Sequence, residues 1–296
     1  MALGFWHSPL SYRRGGIQKS IIFIIAIFGL LLFLPEVSFS QSIDEIIKKA
    51  DELQNKVSAD AEHEALIKML KEAISKNPNS FDLQWRTARA LGIWADQINM
   101  RNTLENAIKA NPKNVDGILA AEKEMSPELG KKVSSLGGEA RGYAEKAISL
   151  NPNRVEGYYY NSLALSMYSL GKGIISALAE GIRPKLVETV KKAIEKDKAY
   201  NDGSPLRVYG RYYYKVPWPY NDKTESEKIL REAFNVSSKS LRTLLYFGDT
   251  LYALGKRDEA KRQWERIMKT SASAFEKVLE DVFKGMAGMR VERVGK

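Results

Sequence analysis

Arg207, Arg211 and Lys215 stand at i, i+4 and i+8 within Gly203 to Asp222, a stretch that reads GSPLRVYGRYYYKVPWPYND. On a helix this spacing sets the three cations along one stripe, with Tyr214 flanking it. Aligned guanidinium groups can hold a carboxylate through paired N–H donors, and adjacent phenols can orient the rest of an organic anion. A solvated helix face shows the same pattern, so both readings stand here. Tyr158 and Tyr159 belong to a second run of rings, each with a broad apolar face and a hydrogen-bonding tip. Such rings suit a half-wet binding wall or the packing between repeats. Trp218, between Pro217 and Pro219, completes a candidate ligand-binding set of Arg207, Arg211, Tyr214, Tyr158, Tyr159 and Trp218.

Groups for covalent or metal chemistry are scarce. The chain has no cysteine, and beyond residue 40 its one histidine is His63. That excludes cysteine nucleophiles and clustered His or Cys metal sites. A Ser-His pair would have to use His63, whose charged neighbours Glu62 and Glu64 suggest a solvated helix face. No phosphate-binding loop or dinucleotide fingerprint occurs, so no cofactor is expected. Carboxylates are plentiful, but none departs from ordinary helix charge patterning. A carboxylate-dependent cell-wall enzyme remains only as a third class behind two kinds of binding protein.

The elements that must carry these residues are helices in a repeat. Ala73-Ile74-Ser75-Lys76-Asn77-Pro78 recurs as Ala107-Ile108-Lys109-Ala110-Asn111-Pro112 and Ala147-Ile148-Ser149-Leu150-Asn151-Pro152, and in decayed form from Ala193 to Lys198. The first two lie 34 residues apart, the tetratricopeptide (TPR) period. Ala permits close packing on the last turn, Asn ends the helix, and Pro cannot continue it. The reading is an all-α, TPR-like α-solenoid of antiparallel helix hairpins over residues 41–285.

In chain order the hairpins run Ile43 to Val57 with Ala61 to Lys76, and Phe81 to Ala95 with Arg101 to Ala110. Asn114 to Met125 then pairs with Leu136 to Leu150 through a Ser-Pro and glycine-containing connector, and Arg154 to Leu170 with Pro184 to Lys196. Gly171 to Gly181 forms an apolar insert, read either as a functional loop or as a short packed helix turn. A helix from about Leu206 to Lys215 precedes a stiff loop, Val216 to Asp222. Lys223 to Phe234, Ser240 to Leu254, Arg257 to Met268 and Ala272 to about Gly285 follow. Met286 to Lys296 is read as a basic, frayed tail.

Residues 1–40 read as a signal peptide. Arg13, Arg14 and Lys19 precede the apolar run Ile21 to Leu34, and Ser38-Phe39-Ser40 offers small residues for cleavage before Gln41. The run is shorter than the roughly 20 residues that span a bilayer, although an uncleaved anchor is the other reading. Export to the periplasm follows. The net charge of +10 is scattered along helices rather than bunched, which argues for solubility and steering and against nucleic-acid binding.

The signal sequence, the degenerate hairpins, Asp197-Lys198-Ala199-Tyr200, Gly203-Ser204-Pro205-Leu206-Arg207-Val208-Tyr209-Gly210 and Pro217-Trp218-Pro219 leading to Asp222 together resemble the T component of tripartite ATP-independent periplasmic (TRAP) transporters. The resemblance covers most of the chain after residue 40 and is densest from Ala193 to Met268. It implies a non-enzymatic periplasmic protein that oligomerises and hands a small hydrophobic or anionic organic ligand to a solute-binding protein of the transporter. Well-known members are lipoproteins, and this chain has no cysteine to carry a lipid. The Tyr-Gly-Arg segment is also similar to microtubule-dynamics regulators with comparable repeats. The alternative to a small-ligand protein is a periplasmic TPR scaffold that takes a peptide or protein in its concave groove.

Overall fold

The Asn of each repeated hexapeptide ends a helix by the same device. The backbone N–H groups of Asn77, Asn111 and Asn151 donate to the carbonyls of Ala73, Ala107 and Ala147, and these alanines are buried. In a computed structural model, which describes residues 42–295, the elements are α1 Ile43–Gln54, α2 Asp60–Lys76, α3 Phe81–Ala110, α4 Val115–Ala121, α5 Pro127–Leu150, α6 Val155–Lys172, α7 Ile174–Ala179, α8 Ile182–Asp197, α9 Tyr200–Lys215, α10 Lys223–Val236, α11 Leu241–Ala253, α12 Arg257–Lys269 and α13 Glu280–Arg293. No strand occurs among the described residues, and no described helix is long and apolar enough to cross a membrane. The signal-peptide reading of residues 1–40 lies outside the described residues.

Most of the expected helices are present within a few residues of their expected ends, but three segments differ. Phe81 to Ala110 is a single helix of 30 residues rather than a hairpin. Nothing between Ala95 and Arg101 breaks a helix, and the residues there are anchored in helical register. Gln97 Nε2 donates to the Val57 carbonyl (3.2 Å), and Asp96 pairs with Arg242 on α11 (2.6 Å). The expected connector before Leu136 is likewise helix. Ser126 caps α5 by accepting from Leu129 N–H (3.2 Å), and Pro127 occupies the first turn, where its missing N–H costs nothing. The insert after Gly171 is the short helix α7, with Ala177 buried and Ile175 exposed.

The third difference changes the architecture. The helix expected from Ala272 to about Gly285 instead begins at Glu280, and residues 286–293 are not a frayed tail but its last two turns, with Met286, Ala287 and Arg290 buried. The chain folds back so that one core cluster joins Met100 of α3 and Val115 of α4 to Leu241, Phe247, Trp264 and Phe283 near the C-terminus. Arg242 bonds Asp96, and Arg290 bonds Glu122 (2.8 Å), a residue 168 positions earlier. The solenoid is therefore clasped, with its C-terminal helices packed on α3 and α4.

His63 is also corrected. It is fully buried rather than solvated, stacked on Trp94 with ring centroids 5.4 Å apart, and its Nε2 lies 3.2 Å from Gln97 Oε1. Burial pushes its pKa below the ordinary value despite that hydrogen bond. The folded state then binds fewer protons than the unfolded chain as pH falls through the unfolded value of about 6.5, so stability drops on acidification. Urea midpoints at pH 8 and pH 5 are expected to fall less in His63→Phe than in the wild type. An equal fall in both would rule out His63 as a source of acid sensitivity.

Candidate functional site

The stripe on α9 faces the interior because of how that helix begins. Asn201, Asp202 and Gly203 adopt left-handed conformations with φ of 45°, 59° and 76°. Asn and Asp are the non-glycine types that take this conformation at least cost, and Gly takes it freely. Helix resumes at Ser204-Pro205, with the proline in the opening turn, where φ near −65° is already helical. Arg207, Arg211 and Lys215 then all line a half-enclosed cavity of about 640 Å³ on the inner side of the clasped solenoid.

One wall is apolar and comes mainly from α6 and α8, through Leu163, Met167, Leu170, Ile182 and Leu186. Aromatic residues form another part. Tyr159, Tyr160 and Tyr200 cluster with centroids 4.9 to 6.4 Å apart, while Tyr212 of α9 and Tyr246 of α11 reach the cavity from further along the chain. Burial pushes the Tyr160 phenol up to about 12 and raises Tyr200 as well, so both are neutral hydrogen-bonding groups at physiological pH.

The candidate residues do different jobs. Arg207 is 7% exposed, and its guanidinium donates to Ser204 Oγ, the Asp202 carbonyl, Ser240 Oγ (3.1 Å) and Thr243 Oγ1 (3.1 Å). Arg211 pairs with Asp249 (3.1 Å) and lies over the rings of Tyr214 (4.4 Å) and Tyr246 (4.2 Å). Both arginines line the cavity and both have internal partners, four hydrogen bonds for Arg207 and the Asp249 carboxylate for Arg211. Lys215 differs, because its ammonium has no hydrogen bond or ion pair with any described residue. Burial and then the neighbouring Arg211 push its pKa down to about 7.

Tyr159 is brought into the cavity, whereas Tyr158, Tyr214 and Trp218 are not among its lining residues. Tyr158 packs against the N-terminal core. The Tyr214 ring sits between Arg211 and Lys223 (4.0 Å), and burial pushes its phenol to about 12. Trp218 is 84% exposed on the loop Val216 to Asp222. Sequence reasoning missed Arg183, Tyr200, Tyr246 and the α6 wall. Leu163, Met167 and Leu170 carry a readable signal in their i, i+4, i+7 spacing, but Tyr246 has none, since it reaches the cavity through the packing of α11 beside α9 and against Met100 of α3.

No family model matches the chain, and no curated protein does. Among solved structures, the chain is similar to TTC0263, a thermophilic TPR protein in Thermus thermophilus, with a TM-score of 0.54 and 14% identity over 83% of this chain and 97% of that one. Weaker likenesses are to the Cut9-Hcn1 hetero-tetramer of APC/C, with a TM-score of 0.43, 12% identity and coverage of 93% and 46%, and to yeast Tom70, with 0.29, 16%, 90% and 69%. The likeness to the Thermus protein is one of fold. Together with the helical architecture of the described residues it shows that this chain has a TPR-like helical-repeat fold.

Proposed function

We propose that this chain is a non-enzymatic binding protein whose interior cavity takes a small amphipathic organic ligand. The observation that carries the reading is the cavity itself. Its volume of about 640 Å³ lies in the range of small-molecule sites, and an apolar wall faces tyrosine hydroxyls and cations. An elongated ligand would lay its apolar body on Leu163, Met167 and Leu186 and turn its polar end toward α9. The absence of cysteine supports binding rather than covalent chemistry, as does the burial of His63 under Trp94, away from the cavity lining.

The N-terminal pattern from Arg13 to Ser40 supports export, and the resemblance to TRAP T components adds transfer of the ligand to a periplasmic solute-binding protein. A second reading, a scaffold for a peptide or protein, is favoured by the TPR-like fold. Native mass spectrometry of the protein purified from periplasmic extract separates the two. The first reading expects a chain beginning at Gln41 that carries a bound molecule of a few hundred daltons, released on denaturation. An empty chain that retains a peptide or protein partner would overturn it in favour of the second.

A further inference from the structure

The sequence points to Arg207 and Arg211 as the clamp for an anion, but the structure gives both of them internal partners. The uncommitted charge is one turn further along α9. Lys215 lines the cavity with its ammonium unpartnered, and the groups acting on it come from three elements: Arg211 of α9, Glu122 and Lys123 just after α4, and Asp249 of α11. The two carboxylates are already engaged. Asp249 accepts from Arg211 and Arg290, and Glu122 accepts from Arg290 through Oε2, leaving its buried Oε1 without a hydrogen-bond partner. Four cations, Lys123, Arg211, Lys215 and Arg290, thus surround two carboxylates, and positive charge is in excess at this end of the cavity.

We infer that Lys215, supported by Arg211 and Lys123, is the subsite for a carboxylate head on the cavity ligand, and that capture of this carboxylate is coupled to protonation of Lys215. The inference rests on the small-ligand reading above. An incoming carboxylate supplies the hydrogen-bonding counter-charge that the fold leaves out, in a setting where a charge-assisted bond is strong. With the amine titrating at about 7, the free site is largely charged at pH 6 and largely neutral at pH 9. Binding therefore tightens as pH falls, while a ligand's own carboxylate stays ionised throughout.

Isothermal titration calorimetry with decanoate and with 1-decanol, at pH 6 and pH 9, tests this on the protein beginning at Gln41. Decanoate should bind the wild type roughly tenfold more tightly at pH 6 than at pH 9. Lys215→Met should lose that gain, again roughly tenfold at pH 6, with decanol affinity unchanged. Lys215→Arg, which keeps the charge and does not titrate, should bind decanoate equally at both pH values. If Lys215→Met binds decanoate as tightly as the wild type, or if decanol affinity falls in parallel, the subsite is overturned while the cavity reading survives. If neither ligand binds the wild type, both are overturned.

Discussion

Arg290→Met lowers the unfolding free energy by about 3–5 kcal/mol, the cost of stranding buried charge. Arg290 has no exposed surface. Its Nε donates to Asp249 Oδ1 (2.8 Å), its Nη2 to Glu122 Oε2 (2.8 Å) and its Nη1 to the Met286 carbonyl (3.1 Å). Burial alone would disfavour its charge, yet Asp249 and Glu122 outweigh burial and hold the guanidinium above its usual pKa. Methionine of similar length fills the space but leaves Glu122 with no cation bonded to it and Asp249 with Arg211 alone. The two carboxylates sit on separate elements that α13 ties together, so the loss falls on the clasp and not on a single helix. A drop in melting temperature on the order of 10 °C is expected for a chain of this size. Glu292→Ala is the contrast: it removes an exposed partner of Arg293 and should change stability by less than about 0.5 kcal/mol. An Arg290→Met protein that melts with the wild type would show that the clasp does not depend on this network.

The buried role of Arg290 also marks the limit of what the sequence discloses. Met286 to Lys296 carries Arg290, Arg293 and Lys296, and local composition gives no means of telling a solvated cation from one that neutralises carboxylates 41 and 168 residues away. The hexapeptide repeats, by contrast, encode local events, and Asn77, Asn111 and Asn151 end their helices where the pattern indicates. The hairpin expected at Ala95 to Arg101 is an inference from period alone. The 34-residue spacing from Ala73 to Ala107 is real, but a period fixes where helices end and not whether the intervening segment turns. Only a breaker would enforce that turn, and none is present there. The cavity divides in the same way. The i, i+4, i+8 stripe on α9 is legible and does face inward, whereas the commitment of Arg207 to Ser240 and Thr243 depends on α11 packing beside α9 and cannot be read from Gly203 to Asp222. Lys215 stands out only once the partners of its two neighbours are known.

Gly137→Leu should cost about 2–3 kcal/mol by overpacking the seam between α5 and α6. A Cβ at Gly137 would stand 2.5 Å from the Tyr168 nitrogen, 2.9 Å from the Ala164 carbonyl oxygen and 3.0 Å from the Tyr168 Cα. All three are main-chain atoms of α6, so no side-chain rotation relieves the clash and the two helices must separate. The contact repeats nearer the start of α5, since a Cβ at Gly130 would lie 2.7 Å from the Gly171 carbonyl oxygen. Replacing glycine inside a helix ordinarily gains up to about 1 kcal/mol from backbone propensity, which offsets only part of the steric cost. Gly142→Ala isolates that gain. Gly142 is exposed on the same helix, its added Cβ meets nothing within 4 Å, and the variant should be more stable by up to about 1 kcal/mol. Urea denaturation of the two variants therefore moves in opposite directions if the seam is a backbone-to-backbone contact, and in the same direction if α5 and α6 have room between them. On the small-ligand proposal the seam bears on binding as well, because α6 presents Tyr159, Leu163, Met167 and Leu170 to the cavity. Displacing that helix shifts the apolar wall against the fixed cations of α9, so Gly137→Leu should weaken decanol and decanoate together. Lys215→Met should weaken decanoate alone, and that difference separates damage to the wall from loss of the charge.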